Sequence, residues 1–141
     1  MNDCVFCKII EGDIPSSKVY EDEKIYAFLD ISQVTKGHTL IVPKEHVKDI
    51  YEYDEILAAD VFSRIPMVAR ALKKAFPDMK GLNIVNNNEP LAYQSVFHSH
   101  FHLIPRYQED EGFAMKFENN QTNYNQDDLL EIADTINKNI Q

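Results

Sequence analysis

Between Asp54 and Phe76 the apolar residues Leu57, Val61, Ile65, Val68, Leu72 and Phe76 recur every three or four positions, the spacing of one helix face. The pattern predicts a helix over Asp54 to Phe76. Pro66 lies inside it and removes one i→i−4 hydrogen bond, which predicts a kink near that residue rather than two separate helices, and Pro77 ends the run. Ahead of it, Lys18-Val19-Tyr20 and Lys24 to Leu29 are β-prone and flank the acidic Glu21-Asp22-Glu23, which predicts a hairpin. Gly37 to Val42 reads as a third strand ending at Pro43, and Gly81 to Val85 as a fourth.

From Ser95 to Ile104 the pattern turns to strict alternation. Val96, His98, His100, His102 and Ile104 share one parity, Phe97, Phe101 and Leu103 the other, and Pro105 closes the segment. This predicts a fifth strand with two distinct faces. Lys8 to Pro15 reads as a helical turn or loop, Asn86 to Pro90 as a polar loop, and Glu109 to Gln126 as surface loop. The end of the chain places Leu129, Ala133, Ile136 and Ile140 at helical spacing behind Asn125, a ready N-cap, so Asp127 to Ile140 reads as an amphipathic helix. The sum is an α+β domain: about five mostly antiparallel strands, one long kinked helix and a C-terminal helix. An exposed sheet edge would need covering.

A length of 141 residues predicts a single domain over 1–141, and 44% hydrophobic content with 8 Phe and 7 Tyr supplies one core. The formal charge of −9 opposes binding to long nucleic-acid polymers, whose affinity comes largely from counterions released by Lys and Arg. A single nucleotide remains compatible, because backbone N–H groups and imidazoles can hold one phosphate inside an acidic protein. The N-terminal Met1-Asn2-Asp3-Cys4 carries no basic, then apolar, leader, and no window resembles a membrane span. The expectation is a cytoplasmic protein with a small-molecule partner and no membrane.

Three of the five histidines fall within five residues, as His98-Ser99-His100-Phe101-His102. On a strand, alternate side chains point the same way, so the three imidazoles would share one face, the outer pair roughly 13 Å apart. A half-exposed face that happens to carry imidazoles is the plain alternative. The chemical reading is that neutral imidazole is a nucleophile at pH 7 and forms a labile N–P bond, while neighbouring imidazoles and N–H groups stabilise charge on the phosphoryl oxygens. Neither a Walker loop nor a dinucleotide glycine fingerprint is present. Cys4-x-x-Cys7 leaves three readings open: half of a zinc site, inert thiols, or a redox pair, the last lacking room for the preceding strand that motif uses.

The segment Gln94-Ser95-Val96-Phe97-His98-Ser99-His100-Phe101-His102-Leu103-Ile104-Pro105-Arg106, with Phe28-Leu29-Asp30-Ile31-Ser32 and Gly37-His38-Thr39-Leu40-Ile41-Val42-Pro43-Lys44-Glu45-His46 upstream, resembles the histidine-triad family over roughly Cys4 to Arg106. The resemblance implies the fold of that family and a homodimer with a sheet continuous across subunits. It implies that His100 forms a covalent nucleotidyl-histidine, that His102 contacts the same phosphate, and that Ser95, Gln94 and His38 assist. Asp30 and Ile31 would hold the ribose and nucleoside, and Asn87 would lie near phosphate or ribose, although turn or strand-end roles would also suit Asp30, Asn87 and Ser95, and Asn86 and Asn88 compete for the role of Asn87.

In members with the N-terminal Cys-x-x-Cys, the histidine after Pro-Lys and the first triad histidine complete a structural zinc site, here Cys4, Cys7, His46 and His98. The activity implied is hydrolysis at the α-phosphate of a purine nucleotide phosphoramidate or dinucleoside polyphosphate, and His102, where the related transferases have Gln, favours hydrolysis over transfer. A regulatory nucleotide-binding module with little turnover is the competing reading. A third reading, a catalytic metal held by all three triad histidines, lacks the carboxylate ligands such centres add nearby. One departure from the family pattern stands out: Tyr93 occupies a stretch that often carries glycine, which bears on what the pocket accepts.

Overall fold

The computed structural model describes residues 3–141; Met1 and Asn2, the start of the N-terminal stretch read above, lie outside the described residues. Five strands form one fully antiparallel sheet: β1 (Lys18–Glu21), β2 (Ile25–Leu29), β3 (Thr39–Pro43), β4 (Gly81–Val85) and β5 (Phe101–Arg106), in the order β1-β2-β3-β5-β4. Four helices accompany it: α1 (Val5–Glu11), α2 (Glu55–Phe62), α3 (Ile65–Ala75) and α4 (Gln126–Asn137). The mixed α+β architecture expected from the sequence is therefore the observed one. No helix among the described residues is long and apolar enough to cross a membrane.

Both faces of the central strands are covered, so their side chains divide by parity into two cores. Ile25, Ala27, Ile41, Phe101 and Leu103 pack under Leu57 and Val61 of α2 and Ile65, Val68 and Leu72 of α3. Tyr26, Phe28, Leu40 and Val42 pack on the other face against Phe6 and Ile9 of α1. The register then fixes where chemistry can sit. Phe28 pairs with Leu40, Leu40 with His102, and His102 with Val85, so His102 shares the α1 face.

Two expectations are corrected. The long kinked helix is two helices, α2 and α3, broken at Ser63 and Arg64. Pro66 is the second residue of α3, where its missing N–H would have had no intrahelical partner, so proline starts a helix here instead of bending one. The apolar stripe continues across the break and for that reason mimicked one helix. The fifth strand begins at Phe101 instead of Ser95 and runs through Pro105 to Arg106. His98 and His100 precede it in irregular chain, because that chain bonds to groups outside the sheet: Ser99 N donates to Val47 O at 2.7 Å.

The terminal helix is capped as expected, with reciprocal Asn125 and Asp128 bonds forming a capping box. Its surroundings were not legible. Every residue from Ala114 onward is exposed, and the Leu129, Ile132 and Ile136 stripe faces away from both cores.

Candidate active site and metal centre

The histidines are set by fixed backbone groups, and those groups decide which ring nitrogen carries a proton. His98 donates from Nε2 to Pro43 O at 2.8 Å, which leaves the Nδ1 lone pair free. His100 donates from Nδ1 to His98 O at 2.8 Å, which leaves Nε2 free as a nucleophile. The Val34 amide donates to His38 Nδ1 at 3.2 Å, so His38 carries its proton on Nε2 and donates it to His102 Nδ1 at 2.9 Å. His102 is thereby left with an Nε2 proton to offer. His100 thus carries its proton on Nδ1, whereas His98, His38 and His102 carry theirs on Nε2, each ring set by the group it meets.

Burial keeps these rings neutral. His38 and His100 are 2% and 6% exposed, and burial lowers the pKa of each, with Asp30 opposing; at His100 the bond to the His98 carbonyl opposes as well. Burial, then the neighbouring His100 and His38, lower His102 to about 4. At pH 7 the rings present lone pairs and N–H donors, not cations.

A cavity of about 430 Å³ opens over this group. One wall is apolar, built by Phe6, Ile9 and Ile14 with Phe28 and Leu40; Asp30 and Ile31 border it, and Asn87, Ser95, His100 and His102 line the rest. Of the residues singled out from sequence, Gln94 alone among those assigned to the nucleotide or the reaction, apart from His38 behind His102, does not line the cavity. It is buried, and its amide is used by the chain: Glu89 N donates to Oε1 at 2.7 Å, and Nε2 donates to Lys48 O at 2.7 Å and Val96 O at 3.1 Å. Of the three asparagines, Asn87 faces the cavity, Asn86 donates to His100 O at 2.9 Å, and Asn88 accepts from Ile50 N.

The first triad histidine turns elsewhere. His98 Nδ1 lies 3.4 Å from Cys4 Sγ, 3.5 Å from Cys7 Sγ and 3.2 Å from His46 Nδ1, and Cys7 Sγ lies 3.4 Å from His46 Nδ1. A tetrahedral ion with Zn–N and Zn–S bonds of ordinary length sets its ligands about 3.3 Å apart for N···N and about 3.6 Å for N···S, so the donor set fits zinc. Burial and then the adjoining Cys4 thiol raise Cys7 to about 11; a bound cation would favour the thiolate instead. Phe6 bridges the two centres, its ring edge-on to His98 at 6.0 Å and to His100 at 5.0 Å between centroids.

Asp30, His38 and His102 also cluster, with Asp30 Oδ2 3.7 Å from His38 Nε2. Here the His38 proton already occupies the space between the two rings, which makes the group a hydrogen-bonded relay. The reading of one catalytic metal on all three triad histidines is not supported, since His98, His100 and His102 diverge onto separate partners.

The sequence missed the residues that organise the loop between β2 and β3. Gln33 Nε2 donates to Asp30 O and to His38 O, both at 2.7 Å, and its Oε1 accepts from Gly37 N at 2.9 Å. One side chain thus ties the ends of the segment that presents both Asp30 and His38. Its only local signal is position, five residues before His38.

Comparison with known proteins agrees with this fold. Residues 11–109 match the HIT domain. The chain is 52% identical over 135 residues to the Bacillus subtilis Protein hit, covering 96% of this chain and 92% of that one. It is 40% identical over 112 residues to the adenosine 5'-monophosphoramidase hnt1 of Schizosaccharomyces pombe, covering 79% and 80%. Among solved structures, a HIT family member from Bacillus subtilis superposes with TM-score 0.96 at 50% identity over 99% of this chain and 98% of that one. A zinc-bound histidine triad family protein from Mycobacterium smegmatis superposes with TM-score 0.74 at 35% identity, over 86% and 87%. With a matching domain across most of its length and half its residues shared with a relative of similar size, the chain belongs to the histidine-triad (HIT) family.

Proposed function

We propose that the protein is a nucleotide hydrolase working through a covalent nucleotidyl-histidine. The observation that carries this is the free Nε2 of His100, freed by the bond from Nδ1 to the His98 carbonyl and placed beside His102 in the cavity that also contains Asp30. His100 Nε2 attacks the α-phosphorus, an N–P bond forms, and the bond to the leaving group breaks, its electron pair going to the departing group, which takes up one proton from solvent that the water of the second step later returns. The imidazolium that results keeps its Nδ1 proton on the His98 carbonyl, which stabilises the new charge. His102 Nε2–H, backed by His38, faces the same phosphate and donates to its oxygens. Water then attacks phosphorus, the N–P bond breaks, and a nucleoside monophosphate leaves with His100 neutral again.

Asp30 and Ile31 hold the ribose and nucleoside, the apolar wall receives the purine, and Asn87 and Ser95 approach the phosphate. Gln94 acts through the loop it holds. The phosphoramidase activity named for the fission-yeast relative supports a nucleotide phosphoramidate as substrate, with dinucleoside polyphosphates the other class. Rapid quenching with a radiolabelled adenosine phosphoramidate tests the mechanism. An acid-labile adduct forms on the wild type and is lost in His100→Asn while nucleotide binding persists. If no adduct or product forms at saturating protein, the module that binds nucleotide without turnover is the correct reading.

Cys4, Cys7, His46 and His98 hold a structural zinc in this reading, supported by their spacing and by the zinc-bound relative. The ion would supply charge neutralisation and a cross-link between the N-terminus and the lead-in to β5. The protein acts as a single domain in a cytoplasmic homodimer. Its edge strand β4 carries no charged residue, and with Ile84 and the α4 stripe exposed it supports a sheet continued by a second copy.

A further inference from the structure

Among the described residues, three other than glycine adopt positive φ: Gln33 (39°), Glu89 (74°) and Tyr93 (71°). All three stand in loops beside the cavity, and two of them bracket one short turn: Glu89, at ψ 155°, and Tyr93, at ψ 21° in the left-handed region. Left-handed backbone is disfavoured for side chains with a Cβ and is tolerated mainly by glycine, asparagine and aspartate. The loop nevertheless imposes it: Tyr93 N donates to Pro90 O at 2.9 Å and Gln94 N to Glu89 O at 3.2 Å, with the buried Gln94 amide holding Glu89 from behind.

The Tyr93 ring does nothing visible for the fold. It is 85% exposed and belongs to neither core, and its hydroxyl takes part in none of the hydrogen bonds among the described residues. It does line the cavity, in the same loop as Asn87 and Ser95, and the same cavity is lined by His100 and His102. A strained backbone that presents an unpacked aromatic ring at a reaction site points to a role for that ring.

The apolar wall is buried, with Asp30 at its border, and takes the nucleoside in the reading above, which leaves the exposed side of the cavity, where Tyr93 stands, for the departing group. Among the described residues no lysine or arginine lines the cavity, which disfavours a departing polyphosphate and favours a neutral group. We propose that Tyr93 is a specificity-determining residue, an aromatic platform that selects nucleoside phosphoramidates whose amine carries a planar ring. The inference rests on the hydrolase reading above and names the leaving group for it.

The test uses the full chain and two adenosine phosphoramidates, of 2-phenylethylamine and of 2-cyclohexylethylamine, which are similar in size and differ in planarity. The ratio of their kcat/KM values is compared between wild type and variants, so intrinsic reactivity cancels. Tyr93→Gly lowers the aromatic preference about five-fold, within the range of one aromatic pairing, and Tyr93→Phe keeps it. Because glycine suits φ near 71°, Tyr93→Gly melts no lower than wild type, so lost preference is not lost folding. Turnover with a ratio unmoved in Tyr93→Gly overturns the inference alone. No turnover of either substrate by wild type overturns the hydrolase reading, and the platform with it.

Discussion

His38 Nε2 lies 2.9 Å from His102 Nδ1, and because the Val34 amide occupies the other nitrogen of His38, the shared proton belongs to His38. A backbone amide in one loop therefore decides which nitrogen of His102, on a different strand, can donate to a substrate.

Removing His38 should release that constraint. His38→Ala leaves His102 free to take either tautomer, and kcat falls by about a hundred-fold, the scale for a lost oxyanion donor, with KM little changed. Steady-state kinetics measure the split, and nitrogen chemical shifts of His102 report the tautomer. An unchanged kcat would show that the relay has no part in turnover.

Stability should depend on pH in a set direction. His102 is held at about 4 by burial and then by His100 and His38, below its unfolded value near 6.5. Below pH 6.5 the unfolded chain takes up a proton that the folded protein refuses until about 4. The contribution is complete above 6.5 and lost as pH falls from 6.5 toward 4, reaching up to about 3 kcal/mol. Urea midpoints at pH 7.5 and 5.0 test it, and His102→Gln should show a flatter profile.

The metal centre predicts a paired loss. Cys4→Ser with Cys7→Ser removes both sulfur donors, so bound zinc falls from one per chain to none and the thermal midpoint drops by several degrees. Elemental analysis and calorimetry read both. Equal metal content in the variant would place any zinc elsewhere.

Gln33 should matter to folding and to catalysis together. Three hydrogen bonds depend on its amide, and Gln33→Ala costs about 1–3 kcal/mol in chemical denaturation and lowers kcat by displacing Asp30 and His38. Gln33→Gly loses the same bonds and relaxes the backbone at φ 39°, so it should be the less damaging of the two in stability. Equal stability of Gln33→Ala and wild type would refute the staple.

The exposed stripe on α4 gives the test of self-association. Leu129→Asp with Ile136→Asp alters residues 50% and 60% exposed in one chain, so the fold of that chain survives while assembly weakens. Sedimentation velocity across a concentration series would show the shift. Sedimentation identical to wild type would mean the stripe is not part of the dimer.

Short-range pattern determined much of this protein. β-prone runs located four strands and the alternating histidine segment the fifth, the three-and-four spacing located the buried stripe of α2 and α3, and an Asn ahead of an apolar repeat located α4, because each depends on residues only a few positions apart. The cysteine and histidine motifs likewise marked both centres. What pattern could not carry was the role of Pro66, which starts a helix, and the start of β5, since both depend on partners distant in the chain. Tertiary structure alone divided the histidines. The Val34 amide and the His98 carbonyl act locally on His38 and His100, but the Pro43 carbonyl reaches His98 across 55 positions and His38 reaches His102 across 64, so which ring turns to which centre is settled only when distant segments close on one another.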